Sequence, residues 1–312
     1  MNKICVINSY NYERYLEECI LSVLNQTVQF DKIFIIDDGS TDGSVDLINS
    51  YAKAHKSIEV IAKENAGQLS CFNVVVDKIE NDDQVCFLDA DDTYPINYLE
   101  TLMIFLNNHS YDFTYCSAKP FKNGEEKQLN CVLNQTPPLV WKKTSALVRR
   151  YKMWIGSPTS ALSVSGSTLK KILPYPETSE WKIRADDIIV YGTSIIGAKK
   201  MYIPSLCINY RIHPKSATAL NNHWKPKTEE EVATRKNVVN KFIVWLCNRN
   251  KIVASPTKSE VYAEYNQLSN QLLSILINDH HFNLKRRLSF RLYTYKEKLF
   301  VFLKKIFHHF ES

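Results

Sequence analysis

The chain has 312 residues, 45% hydrophobic and 23% charged, the fractions of an ordinary globular protein long enough to bury one large α/β core with an appendage. Its eight cysteines are scattered, several in apolar runs, with no Cys-x-x-Cys pair, which excludes a disulfide scaffold and points to reduced thiols in the cytosol. The net charge is +6, no apolar run reaches the roughly 18 residues of a membrane span, and no signal peptide follows Met1, so a cytoplasmic protein is expected.

Residues 3–7 read as a short apolar strand, followed by the polar loop Asn8-Ser9-Tyr10-Asn11. Over 12–26, Tyr15, Leu16, Ile20, Val23 and Leu24 recur at helical spacing. A buried strand over 33–36 ends in Asp37-Asp38-Gly39-Ser40-Thr41-Asp42-Gly43, a loop with glycine for unusual backbone angles and Asp or Ser to cap the next helix. A strand over 58–62, a helix over 68–78 and a strand over 84–88 follow. Four apolar strands alternating with helices imply a parallel sheet with right-handed crossovers. Ligands of such sheets bind at the carboxyl ends of the strands, where Ser9, Asp37-Asp38, Asn65-Ala66-Gly67 and Asp89-Ala90-Asp91 all fall.

Further along, a helix is predicted over 95–108, a strand over 111–119, a hairpin turn at Asn123-Gly124 and a helix ending near Tyr151. A strand over 160–165, helices over 166–172 and 186–196, and a strand over 201–210 broken by Pro204 complete the sheet region. Helices over 232–248 and 258–278 follow, with a boundary at 221–228, where periodicity breaks. This gives a domain over 1–220 and a helical C-terminal region over 229–312.

Asp89 and Asp91 flank Ala90 where a buried strand surfaces, a hard-oxygen site for a divalent cation that also holds a diphosphate. The alternative is a solvated loop capping the next helix, a role also open to Asp92.

Five segments resemble the family 2 glycosyltransferases with the GT-A fold, a bacterial group that builds capsule, O-antigen and other surface glycans. They are Ile7-Asn8-Ser9-Tyr10-Asn11 with Tyr15-Leu16, Ser22-Val23-Leu24-Asn25-Gln26-Thr27, Ile36-Asp37-Asp38-Gly39-Ser40-Thr41-Asp42, Asn65-Ala66-Gly67 and Phe87-Leu88-Asp89-Ala90-Asp91-Asp92. The resemblance implies an α/β GT-A fold, a Rossmann-like, mostly parallel wound sheet carrying a helical C-terminal extension. It implies an inverting, metal-dependent transfer of sugar from a nucleotide-diphosphate donor, UDP-linked, to a saccharide or lipid-linked glycan acceptor.

By the same resemblance, Ser9 and Glu13 lie near base or ribose, Asp37 or Asp38 accepts from the uracil-like ring or sugar hydroxyls, and Asn65 and Gly67 shape the pocket floor. Asp91 ligates Mn2+ or Mg2+, while Asp89 contacts the ribose, or the metal through water, with Ala90 between them. Tyr210-Arg211-Ile212-His213-Pro214-Lys215-Ser216 resembles a family segment in which His213 completes the metal shell and Arg211 faces phosphate. Arg184-Ala185-Asp186-Asp187 sits where relatives carry the general base, Asp187 in register with it and Asp186 standing for the usual Glu. Trp154 and Ser160 precede or begin the strand beside the acceptor, and Trp181 offers a face for a sugar ring or packs in the core.

Between residues 281 and 309, Lys285, Arg286, Arg287, Arg291, Lys296, Lys298, Lys304 and Lys305 stand against Glu297 alone, interleaved with Leu and Phe. Such a composition suits a helix in the headgroup layer of an anionic membrane, at the inner face of the cytoplasmic membrane, rather than nucleic acid. Packing on the enzyme or on a second subunit of a homodimer is the alternative. A sugar-phosphate nucleotidyltransferase would need a Gly-rich basic loop after the first strand, which Asn8-Ser9-Tyr10-Asn11 is not. A catalytically inactive, membrane-associated scaffold is the non-enzyme reading.

Overall fold

The computed structural model describes residues 1–108, 111–132, 137–141, 143–214 and 228–278. Among them, strands β1 (Lys3–Ser9), β2 (Lys32–Asp37), β3 (Ile58–Ala62), β4 (Gln84–Asp89), β5 (Phe113–Phe121), β6 (Leu139–Trp141), β7 (Leu162–Ser165) and β8 (Lys200–Arg211) form one sheet. Its order is β3-β2-β1-β4-β7-β5-β8-β6. The first four strands run parallel, as the alternation of strand and helix predicts, while β7 lies antiparallel between β4 and β5. The helices are α1 (Glu13–Leu24), α2 (Ser44–Ala54), α3 (Gln68–Val75), α4 (Tyr98–Asn108), α5 (Ser145–Tyr151), α6 (Gly166–Ile172), α7 (Asp186–Ile195), α8 (Glu229–Arg249) and α9 (Lys258–Asn278).

Continuous apolar strands mean two buried faces, and the period of two sorts their side chains between two cores. Ile4, Val6, Phe34, Ile36, Val85 and Phe87 pack with Leu69 and Phe72 of α3, Ile188 and Ile189 of α7, and Phe242 and Leu246 of α8. Cys5, Ile7, Ile33, Ile35, Cys86 and Leu88 pack with Leu16 and Ile20 of α1, Ile48 of α2, and Leu99 and Leu102 of α4. All eight cysteines are buried and free. Among the described residues, no helix is long and apolar enough to cross a membrane.

Three expectations change. Asn123-Gly124 does turn the chain, Gly124 at φ +84°, but among the described residues no hairpin follows: the next strand, β6, pairs with β8 and not with β5. Pro204 does not break β8; the pairing slips from Cys116↔Ile203 to Ser117↔Cys207, a bulge that absorbs the missing donor. The expected boundary at 221–228 separates α8 from the sheet, yet Phe242 and Leu246 are fully buried in the first core, worth about 1.5–3 kcal/mol each. Thr228 and Glu231 form a capping box that starts α8. The compact unit therefore spans Met1–Val261, and a second unit begins at Tyr262. The basic segment of 281–309 lies outside the described residues.

Candidate active site

β1, β2 and β4 end on one edge, where register sets Ser9 beside Asp37 and Asn8 beside Asp89. Asp37 Oδ2 accepts from the backbone N–H groups of Gly39 (3.1 Å) and Ser40 (2.9 Å), fixing a turn in which Gly39 takes φ +78°. Its Oδ1 is buried without a partner among the described residues, as are Ser9 Oγ and Asn8 Oδ1. An unsatisfied buried polar atom costs about 1–3 kcal/mol, so three on adjacent strand ends mark a place for a hydrogen-bonding ligand.

Past β4 the chain delivers Asp89, Ala90, Asp91 and Asp92. Burial and the neighbouring Asp91 push the half-buried Asp89 carboxyl up to about 7, against hydrogen bonds from Asn8, Gln68 and Thr159. Asp91 Oδ2 lies 2.9 Å from His213 Nε2, and the imidazole rests 4.7 Å from the Tyr15 ring. Ala90 is buried in the second core, which fixes the turn between the two acids. Asp92 does not cap α4; it accepts from Ser160 Oγ at 2.5 Å and from the Arg211 backbone N–H at 2.8 Å. Burial, Asp91 and Asp89 hold its carboxyl well above the ordinary range. Burial and the same acids raise the Tyr12 phenol.

Among the described residues, no group of three or more His, Cys, Asp or Glu side chains is placed to hold a metal ion. Asp89 is thus not joined to Asp91 and His213 in one ligand set, because its carboxylate is turned to Gln68. Asp91 and His213 bring a carboxylate and an imidazole together, donors of the kind that would hold a divalent cation.

Several expected ligand contacts are already taken by the protein. Asp38 accepts from Lys63 Nζ (2.5 Å), Ala66 N (3.0 Å) and Gly67 N (2.8 Å), so it holds the 65–67 loop rather than a nucleoside. Asn65 is exposed on that loop, and its backbone nitrogen would lie 3.0 Å from a Cβ at Gly39. Glu13 Oε2 accepts from Gly43 N at 3.0 Å, tying α1 to the start of α2. Gly67, at φ +87°, approaches Lys182 rather than a ligand: a Cβ there would lie 2.4 Å from Lys182 Cα.

Arg211 spends its guanidinium on Asp91 O (2.7 Å), Asn123 Oδ1 (2.5 Å) and Glu18, between the rings of Phe121 (4.5 Å) and Tyr15 (5.0 Å). It pins the acidic turn from behind and does not face phosphate. Ser160, fully buried, accepts from the Asp89 N–H and donates to Asp92, so no acceptor reaches it. Trp181 is likewise fully buried against Phe242, with the Arg235 guanidinium 4.2 Å from its ring.

The two neighbouring acids of α7 differ sharply. Asp187 accepts from Trp154 Nε1 at 2.7 Å and is ion-paired with Arg184 at 3.1 Å and with Arg235 of α8. Burial and Asp187, and to a lesser degree Asp89, raise the Asp186 carboxyl to about 7, with Arg184 opposing them. A carboxylate near 7 accepts a proton at neutral pH, while the Asp187 oxygens are already engaged by Trp154, Arg184 and Arg235. The geometry thus favours Asp186 over Asp187. Trp154 is half-buried, its indole nitrogen anchored and part of its surface open.

Gln68 and Tyr12 were not singled out from sequence, and Asn8 was quoted only as part of a loop, since one amide or hydroxyl carries no spacing signal; Asn8 lies near the end of β1, Tyr12 precedes α1, Gln68 opens α3 and Thr159 precedes β7. Two open hollows beside α1, of about 240 and 350 Å³, share Glu18 and Lys127, and none of Asp37, Asp89, Asp91 and Asp186 lines either.

Residues 4–164 match the family described as glycosyl transferase family 2. An uncharacterized glycosyltransferase of Nostoc sp. is 31% identical over 251 residues, covering 77% of this chain and 74% of the relative. Among solved structures, Staphylococcus aureus TarS 1–349 in complex with UDP-GlcNAc aligns with a TM-score of 0.60 at 18% identity, over 88% of this chain and 73% of TarS. The mannosyltransferase PcManGT of Pyrobaculum calidifontis, in complex with GDP-Man and Mn2+, aligns with a TM-score of 0.51 at 14% identity, over 87% of this chain and 80% of its own. At these identities the likeness is one of fold, the GT-A arrangement of a mostly parallel sheet.

Proposed function

The chain belongs to glycosyl transferase family 2, and from that premise we propose an inverting transfer of sugar from a UDP-linked donor to a hydroxyl of a saccharide or lipid-linked glycan. The observation that carries the proposal is the meeting, on one sheet edge, of Ser9 Oγ and Asp37 Oδ1, unpartnered among the described residues, with the acidic turn at Asp89–Asp91. A carboxylate only accepts, which suits Asp37 to a ring N–H or a ribose hydroxyl of the nucleoside. Asp91 and His213 would hold Mn2+ or Mg2+, which when bound neutralises the charge of the leaving diphosphate.

Asp186 acts as general base. As the acceptor oxygen attacks the anomeric carbon from the face opposite the diphosphate, its proton passes to the Asp186 carboxylate. The new C–O bond forms while the bond to the diphosphate breaks, the electron pair leaving on the phosphate oxygen, so configuration inverts. Asp187, held by Trp154, Arg184 and Arg235, fixes the start of α7 and the indole beside it. The half-open face of Trp154 then offers apolar surface to the acceptor ring. The basic, Phe- and Leu-rich segment of 281–309 brings the enzyme to an anionic membrane where lipid-linked acceptors lie, at the cytoplasmic surface.

The test is a thermal-shift panel of UDP, GDP and their sugars with and without Mn2+ or Mg2+, followed by NMR of the anomeric proton in the product. Selective stabilisation by UDP-sugars is expected, growing with concentration as ligand linkage requires. No shift with any nucleotide, or a product of retained configuration, sinks the reading.

A further inference from the structure

The first residue of α3 stands between the donor and base halves of the site and bonds to both. Gln68 Oε1 accepts from the backbone N–H of Ala185 at 3.0 Å, immediately before α7. Its Nε2 donates to Asp89 Oδ1 at 2.8 Å and to Thr159 Oγ1 at 3.2 Å. Its own N–H, one of those a helix start leaves without an intrahelical partner, donates to Lys182 O at 3.0 Å. Gly67 adds a close backbone contact with Lys182 that leaves no room for a Cβ.

The segment delivering Asp186 is thus fastened at Lys182 and Ala185 to the start of α3, and the same side chain reaches the end of β4. A primary amide does this with one group, because it accepts at one end and donates at the other. Ionised glutamate keeps the acceptor for Ala185 but loses the donor and sets a negative charge against Asp89. Methionine keeps the length and loses both contacts.

We propose that Gln68 is a positioning residue that sets Asp186 against the donor-binding edge at Asp89, acting through the Ala185 N–H and the Asp89 carboxylate without touching reacting atoms. The proposal rests on the assignment of Asp186 as base. Its reach is geometric: a base displaced by about 1 Å from its working position costs on the order of a hundredfold in rate.

The experiment compares full-length wild type, Gln68→Met and Gln68→Glu by three measurements. These are UDP affinity by calorimetry, amide exchange at Ala185 by NMR, and UDP release from the UDP-sugar that best stabilises the wild type. For Gln68→Met, the Ala185 amide is expected to exchange about tenfold faster, since its acceptor is gone. UDP release should lose about ten- to hundredfold in kcat, with donor KM and UDP affinity within about threefold of wild type. Gln68→Glu should keep the slow Ala185 exchange while losing rate, which separates the two ends of the bridge.

The proposal is overturned if Gln68→Met keeps kcat within about twofold, if Ala185 exchange is unchanged, or if every rate loss follows the unfolded fraction seen by circular dichroism. Failure of the parent reading looks different. No UDP-sugar then stabilises or is cleaved by the wild type, while the Ala185 exchange still reports the bridge.

Discussion

Asp186 and Asp187 are adjacent in sequence, yet Asp187 is ion-paired with two guanidinium groups while burial and its neighbour raise the Asp186 carboxyl. Between the ordinary carboxylate range near pH 4 and about pH 7, folded Asp186 holds a proton that the unfolded chain has released. Folding therefore takes up protons in this window, and the ligand-free protein loses stability as pH rises through it. Asp186→Asn removes that loss. Its Tm should match wild type below pH 4 and exceed it at pH 8, while kcat falls by about two to four orders of magnitude. In the wild type, kcat should rise with pH through about 7 as the base ionises. Asp187→Asn leaves Arg184 and Arg235 facing a neutral amide and should cost about 3–5 kcal/mol by urea titration. Equal Tm changes in the two variants would contradict this division of roles. The acidic turn was legible because it repeats a spacing at a strand end, whereas Asp38, Glu13 and Arg211 were read as ligand contacts. Residue type states what a side chain can bond; only the fold states what it has already bonded.

At the scale of elements, the ends of β1, β2 and β4 and the start of α3 make the site, and all four were legible from apolar runs punctuated by polar loops. Non-local pairing was not. Nothing local tells that Leu139–Trp141 pairs with β8, or that β7 inserts between β4 and β5. The same blindness made Gly67 look like a ligand-facing glycine, although it meets Lys182, 115 residues further along the chain (182 − 67). Gly67→Ala combines a left-handed backbone with a Cβ 2.4 Å from Lys182 Cα, so the two segments must part. A loss of about 1–3 kcal/mol is expected, lowering Tm by several degrees. If α3 carries the approach to α7, UDP release should also fall by more than the loss of folded protein accounts for. A variant with wild-type Tm and rate would mean that the 182 segment is not held there.

For the whole molecule, the break in periodicity at 221–228 suggested a domain boundary, but periodicity does not say where a helix packs. Phe242 and Leu246 close the core around Trp181, and Arg235 reaches back to Asp187, so a chain ending at 220 loses apolar burial and a buried ion pair together. It should fail to unfold cooperatively in a thermal scan, whereas a chain ending at 261 should retain a sharp transition and UDP binding. Residues 281–309 carry eight lysines and arginines against Glu297, and each basic side chain near an anionic surface contributes about 1 kcal/mol. Sedimentation with vesicles should therefore pull down the full chain when phosphatidylserine is present. Binding should weaken as salt shortens the Debye length and vanish for the chain ending at 261. Equal binding to neutral vesicles would assign the tail to apolar insertion alone, and none to either would leave its Phe and Leu for a protein surface. Donor turnover separates the two ends of the molecule, since a soluble UDP-sugar needs no membrane. The chain ending at 261 should cleave it at the full-length rate while losing only the advantage that vesicles give toward a lipid-linked acceptor.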